Sequence, residues 1–202
     1  MDNNQISYEE IDREIEARAV AKRKRLPHDI FDVAELVLIV LALLLLVTTF
    51  LFRQTVVIGG SMNPTLLDRE RLVISNLFYV PKSGDVVVIQ VDAETAKRAT
   101  SLEENEAIIK RVIATGGQTV EIRGGVVFVD GEALSEEYTS ASKDARHFTM
   151  EKLTVSEGHI FVLGDNRASS LDSTYFGEVD ARTVIGKVLF RALPLSEFGG
   201  IR

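Results

Sequence analysis

Hydrophobic positions fall into two unlike patterns on either side of Arg53. Before it, Leu36 to Phe52 reads LVLIVLALLLLVTTFLF, with only Thr48 and Thr49 polar. At the helical rise this run is about 26 Å long, and its flanks, from 31 to 53, bring it to the ~30 Å of a bilayer core. Each charge at mid-membrane would cost roughly 2.5–3.5 kcal/mol, and the run has none. The pattern predicts one transmembrane helix over 31–53. A buried core helix would carry a polar face. A removable leader would have a shorter polar start and a small-residue site after the run, where this chain has Phe50, Leu51, Phe52 and Arg53. Residues 1–30 are charged, and Ile6, Ile11 and Ile15 give a weak helical spacing, which predicts a short surface helix or disorder.

From Gln54 onward the apolar runs shorten and turn β-rich. Thr55–Ile58, Arg71–Ile74, Asp85–Val91, Ala107–Ile109, Thr119–Ile122, Val126–Val129, His159–Leu163 and Val184–Phe190 read as strands. Lys82-Ser83-Gly84-Asp85, Gly116-Gly117, Gly124-Gly125 and Asp130-Gly131 are turn signals between them. The domain is expected to be mainly β, built of antiparallel sheets. Val126–Val129 with Asp130-Gly131 reads as a hairpin. Residues 92–106 are polar and read as a loop, and 135–157 as an excursion from the sheet. There is no internal repeat and no second hydrophobic span.

Charge sharpens this picture. The chain has 202 residues and a formal net charge of −7, which argues against a nucleic-acid partner. It has no cysteine, so disulfides, thiol nucleophiles and thiolate metal sites are excluded. His28, His147 and His159 lack metal-ligand spacing, so no metal is expected. Lys22, Arg23, Lys24 and Arg25 precede the span, while Arg53 alone closely follows it. The positive-inside rule then puts the N-terminus in the cytoplasm and everything after Arg53 outside. The basic cluster sets topology and can also meet anionic lipid heads.

Three segments carry candidate chemistry. Gly59-Gly60-Ser61-Met62-Asn63-Pro64 follows an apolar strand, and its glycines let the backbone approach a ligand. It would present the Ser61 hydroxyl, or be an ordinary strand-ending turn. A serine needs a base. His147 and His159 lie outside the membrane but in no telling motif, and His159 reads more simply as opening a strand. Lys110, between Ala107-Ile108-Ile109 and Val112-Ile113, sits in an apolar strand, where desolvation lowers a lysine's pKa and allows it to be neutral. Alternation places it on the face opposite Ile109 and Arg111. The third segment runs from Leu163 to Ser173 and is dense in small polar groups. A hydroxyl there could orient a neutral lysine, and Asp165 could pair with Arg167.

Taken together, these segments resemble the type I signal peptidases, the bacterial Ser/Lys-dyad leader peptidases, over roughly residues 30–190. Ser61-Met62-Asn63-Pro64-Thr65-Leu66 resembles the family's SMxPTL box, and Gly84-Asp85-Val86-Val87 its GDVV strand. Lys110-Arg111-Val112-Ile113 resembles its KRVI box. Gly164-Asp165-Asn166-Arg167 with Ser170, Asp172 and Ser173 resembles GDNRxxSxDS. The resemblance implies Ser61 as nucleophile, Lys110 as general base and Ser170 as the hydroxyl that orients it. It implies the Ser61 N–H as an oxyanion donor, and Met62, Leu66 and Ile109 as lining of substrate pockets. Asp165, Arg167 and Asp172 would fix the loop. Several positions depart from the pattern. Gly59 stands where some members have an oxyanion serine. Ala114 and Gly116-Gly117 alter a turn. Ala168 and Thr174 replace frequent Asp and Arg, and Thr174 removes one partner for Asp172. The short chain suggests the compact Gram-positive form.

The expectation is therefore a cytoplasmic segment (1–30), a membrane helix (31–53) and an extracytoplasmic serine protease domain (54–202). It would cut signal peptides from exported preproteins without a cofactor, holding the substrate as an added strand, at the cell membrane and near the secretion translocase. One rival is a self-cleaving Ser/Lys repressor protease, but those are soluble and joined to DNA-binding modules. The other is an anchored assembly factor without catalysis, but such relatives lack the serine or the lysine.

Overall fold

The computed structural model describes residues 8–99, 101–139 and 148–201. Ile6, His147 and the middle of the 135–157 excursion lie outside them. The chain forms two compact units, Met1–Phe50 and Leu51–Arg202.

The first unit is one helix, α1 (Tyr8–Leu51). It extends through most of the charged segment, where the sequence suggested only a short surface helix or disorder. Its stretch Ile30–Thr49 is long and apolar enough to cross a membrane, and none of it is buried in the structure. The two polar residues conceal their hydroxyls along the helix: Thr48 Oγ1 donates to Leu44 O at 2.9 Å and Thr49 Oγ1 to Leu45 O at 2.7 Å. Such back-bonding removes most of the cost of a hydroxyl in hydrocarbon.

The second unit is mainly antiparallel β. One sheet takes β1 (Arg53–Val56), β2 (Arg71–Ser75), β3 (Val86–Gln90), β4 (Ala107–Thr115), β9 (His159–Leu163), β10 (Val179–Asp180), β11 (Val184–Leu193) and β12 (Gly199–Gly200). Its order is β1-β2-β11-β3-β4-β9-β10, with β12 on β11. The smaller sheet takes β5 (Thr119–Arg123), β6 (Val126–Val129), β7 (Glu132–Ala133) and β8 (Met150–Thr154), in the order β7-β6-β5-β8.

The central strand β3 explains its own unbroken apolar run. Val87 and Ile89 enter one core cluster, while Val86 and Val88 enter another on the opposite face. A strand covered on both faces need not alternate. The smaller sheet closes a third cluster around Ile113, Val120, Phe161 and Leu163. The hairpin expected at Asp130-Gly131 forms between β6 and β7, with both turn residues at positive φ, +52° and +85°.

Two polar stretches are more ordered than their composition suggested. Within 92–106 lies α2 (Ala93–Arg98), started by the Asp92 carboxylate, which accepts from the Thr95 N–H at 2.8 Å. Thr95 is buried, and Ala96, Ala99 and Leu102 pack on the first cluster. Within 135–157 lies β8, whose residues are mostly exposed, so it shows no apolar alternation.

Candidate active site

Ser61 leaves β1 on a loop that closes by bonds to its own flank. The Val57 N–H donates to Glu70 O, the Arg69 N–H to Val57 O, and the Gly59 N–H to the Asp68 carboxylate at 2.8 Å. Gly59 has φ +81°, a conformation that favours glycine. Met62 and Leu66 anchor the far side in the core. Lys110 comes from β4, 4% exposed. Its Nζ lies 3.0 Å from Ser61 Oγ, in hydrogen-bond contact, and donates to Ile109 O at 3.2 Å. Burial pushes the lysine below its ordinary 10.5, against the charges of Asp172, Glu106 and Asp165, which pull it up.

The loop after β9 holds the serine in place. The Asn166 N–H donates to Ser61 O and Asn166 Nδ2 to Gly60 O, both at 3.0 Å. Asp172 receives the Gly164 N–H at 3.0 Å and caps α3 (Ser173–Phe176). Thr174, expected to cost Asp172 a partner, is itself one: its hydroxyl donates to Asp172 Oδ1 at 2.8 Å.

The expected Asp165–Arg167 pair is replaced by two others. Asp165, 0% exposed, takes a two-pronged bond from Arg111, with Nε–Oδ1 at 2.8 Å and Nη2–Oδ2 at 2.7 Å. Arg111 also donates to Gly84 O at 2.9 Å and lies 3.9 Å over the Tyr138 ring. Arg167 pairs with Glu136. A wholly buried carboxylate needs a full fork of donors, and Arg111 supplies one from the neighbouring strand.

Other expected residues take different places. Ser170 is packed against Gly164, but its Oγ is buried and has no hydrogen-bond partner among the described residues, so no bond to Lys110 forms. Met62 and Leu66, 1% and 0% exposed, offer no surface to a peptide; both join Ile109 in the core. His159 Nδ1 lies 3.1 Å from Glu157 O at the mouth of β9, far in role from Ser61.

Among the described residues, the site also leaves a strand edge open. β4 pairs with β3 along Ala107–Arg111, but its pairing with β9 begins only at Arg111↔Leu163. The Val112 N–H donates to Asp85 O and the Val91 N–H to Glu106 O, so even-numbered residues from 106 to 112 face β3. Ala107 and Ile109 therefore turn their backbone groups toward the open side. The Ser61 N–H makes no hydrogen bond among the described residues.

Sequence reading passed over Asn166, Arg111, Glu136 and Tyr138. Asn166 was visible inside the Gly-Asp-Asn run. Glu136 and Tyr138 carry no local signal, because the arginines they engage lie in other segments.

A family model described as signal peptidase, peptidase S26, matches residues 30–193. A probable signal peptidase I-1 of Synechocystis is 36% identical over 167 residues, covering 81% of this chain and 83% of its own. Signal peptidase I of Bacillus licheniformis is 35% identical over 181 residues, 84% of this chain and 92% of its own. A solved signal peptidase I from Enterococcus faecalis V583 is 33% identical, covering 54% of this chain and 97% of that one, with a TM-score of 0.44.

Proposed function

The chain belongs to the signal peptidase family, peptidase S26, and from that premise we propose that it cuts signal peptides from preproteins with Ser61 as nucleophile and Lys110 as general base. The observation that carries the pair is the 3.0 Å contact between Lys110 Nζ and Ser61 Oγ, made by a lysine that burial drives toward its neutral form.

The steps follow from that geometry. Neutral Lys110 takes the Ser61 proton as Oγ attacks the carbonyl carbon before the scissile bond. The carbonyl oxygen becomes an oxyanion, and the unbonded Ser61 N–H is a donor for it. The Lys110 ammonium returns the proton to the leaving amine, and the peptide C–N bond breaks. Water, giving a proton to Lys110, then attacks the acyl ester, and the Lys110 ammonium passes that proton to Ser61 Oγ as the ester C–O bond breaks. The signal peptide would lie as an added strand along the open edge of β4 at Ala107 and Ile109. Ile109, 8% exposed, remains the one expected pocket residue on that edge. Ser170, as an orienting hydroxyl, would act once its Oγ turns to Lys110.

The helix α1 would anchor the enzyme in the cell membrane with its N-terminus cytoplasmic and residues 54–202 outside. Membrane lipid and the secretion translocase would be its neighbours there. Replacing Ser61 or Lys110 by alanine and assaying preprotein cleavage in detergent or lipid tests the pair. Both variants should be inactive, and neither should be labelled by a serine-acylating inhibitor at wild-type rate. Full activity in either one overturns the assignment.

A further inference from the structure

Five residues close a ring that includes the Ser61–Lys110 contact. Lys110 reaches Ser61, Ser61 O is held by the Asn166 N–H, and Asp165 beside Asn166 is gripped by Arg111 beside Lys110. The Arg111–Asp165 pair thus ties the lysine strand to the loop that holds the serine. A bond from Asp165 to Arg167, two residues away, would join that loop only to itself.

Arg167 keeps one bond within its own loop, from Nε to Gly164 O at 3.1 Å, and finds its ion pair in the segment that follows the smaller sheet's last hairpin. After β7, Leu134 is fixed by its N–H to Val127 O at 2.8 Å. Glu136 then takes Arg167, with Oε2 at 2.9 Å from Nη1, in a pair whose side chains are only 11% and 12% exposed. The Tyr138 hydroxyl donates to Glu136 Oε1 at 3.0 Å, and its ring lies under the Arg111 guanidinium. Burial and the Glu136 charge hold that hydroxyl well above its usual range, so it remains a donor. One short segment therefore engages both arginines.

We propose that Glu136 is a positioning residue for the catalytic pair: by occupying Arg167 it reserves Asp165 for Arg111, and so keeps Lys110 aligned on Ser61. This rests on the Ser61–Lys110 reading above. The physical basis is competition between two forks for one buried carboxylate. Without the Glu136 charge, a largely buried Arg167 loses its counter-ion, and Asp165 is the acceptor two residues before it. Asp165 is also one of the charges that bear on Lys110, with Asp172 and Glu106.

The test is a double-mutant cycle on the full chain in detergent, with a preprotein substrate and a thermal melt of each variant. Glu136→Gln should lower kcat about tenfold with little change in KM, as a misplaced base does. Adding Arg167→Gln removes the competitor and should bring kcat back to within about threefold of wild type, a strong non-additivity. A merely structural role predicts a double variant at least as slow as E136Q, and that result overturns the proposal. So does an E136Q enzyme of unchanged rate. If E136Q does not fold, a fold regained in the double variant is the same rescue, and a fold lost in both overturns the idea. Ser61→Ala and Lys110→Ala run alongside: activity in either one sinks the catalytic pair itself, whatever the cycle shows.

Discussion

The Asn166 N–H donates to the Ser61 carbonyl at 3.0 Å while the Asn166 side chain holds Gly60 O at the same distance. Two bonds fix the loop where Ser61 stands. Gly60 O also accepts from the Asn63 N–H at 3.2 Å, so losing the side-chain bond leaves no orphan carbonyl. Asn166→Ala should therefore cost little stability but loosen Ser61. We expect kcat on a preprotein to fall about tenfold, as small misplacements do, with KM and melting temperature nearly unchanged. A fall in melting temperature with kcat intact would contradict this account.

Lys110 gives a prediction with a defined sign. Its folded pKa lies below 10.5, so between the two values the unfolded chain binds more protons than the folded one. Stability then rises with pH across that window, and the cost of burying the lysine is fully present below it. Lys110→Met should melt higher than wild type at neutral pH, and the gap should shrink as pH approaches 10.5. On the same grounds the acid limb of kcat/KM should rise at a pH below the ordinary lysine value. A gap independent of pH would show that the lysine titrates normally.

How much of this was legible beforehand depended on the range of each interaction. The apolar runs gave the apolar part of helix α1, the antiparallel strands and the Asp130-Gly131 hairpin, because periodicity and turn chemistry are local; the extension of α1 back to Tyr8 was not foreseen. The sequence also brought Ser61 and Lys110 forward, and the structure places them in contact. It gave the wrong partner for Asp165, since adjacency suggested Arg167 while the fold delivers Arg111 from a neighbouring strand. It could not find Glu136 or Tyr138, because the arginines they engage lie tens of residues away. It placed Met62 and Leu66 at a pocket, whereas the tight serine loop draws both into the core. Helix α2 was hidden because a six-residue helix depends on one cap and a few buried contacts rather than on composition.

The buried Arg111–Asp165 pair separates stability from activity. Asp165→Ala leaves a 2%-exposed guanidinium without its carboxylate, a loss of about 3–5 kcal/mol for a broken buried pair. Replacing both, Asp165→Ala with Arg111→Met, removes the stranded charge and should recover much of that stability. Cleavage should not recover with it, because the tie between the lysine strand and the Asn166 loop is gone. Urea unfolding and a preprotein assay on the same samples would show the split. Recovery of both together would mean that the pair serves the fold alone.

Two glycines near Ser61 should fail for different reasons when substituted. A Cβ on Gly164 would sit 2.2 Å from Ser170 Oγ and 2.5 Å from Ser61 O, distances no real contact reaches. The Ser170 side chain can turn away, but the Ser61 carbonyl is backbone held by Asn166, so relief must come by moving the serine loop itself. Gly164→Ala should abolish cleavage and lower the melting temperature, since overpacking of this kind costs about 1–3 kcal/mol. At Gly59 a Cβ meets nothing within 4 Å, and the only obstacle is φ +81°. Gly59→Ala should cost roughly 1–2 kcal/mol from the left-handed backbone alone and retain measurable activity. Gly59→Ser meets the same backbone cost, so a serine there should lower stability before its hydroxyl can assist any oxyanion. Equal loss of cleavage in G164A and G59A would show that space around Ser61 does not decide the outcome.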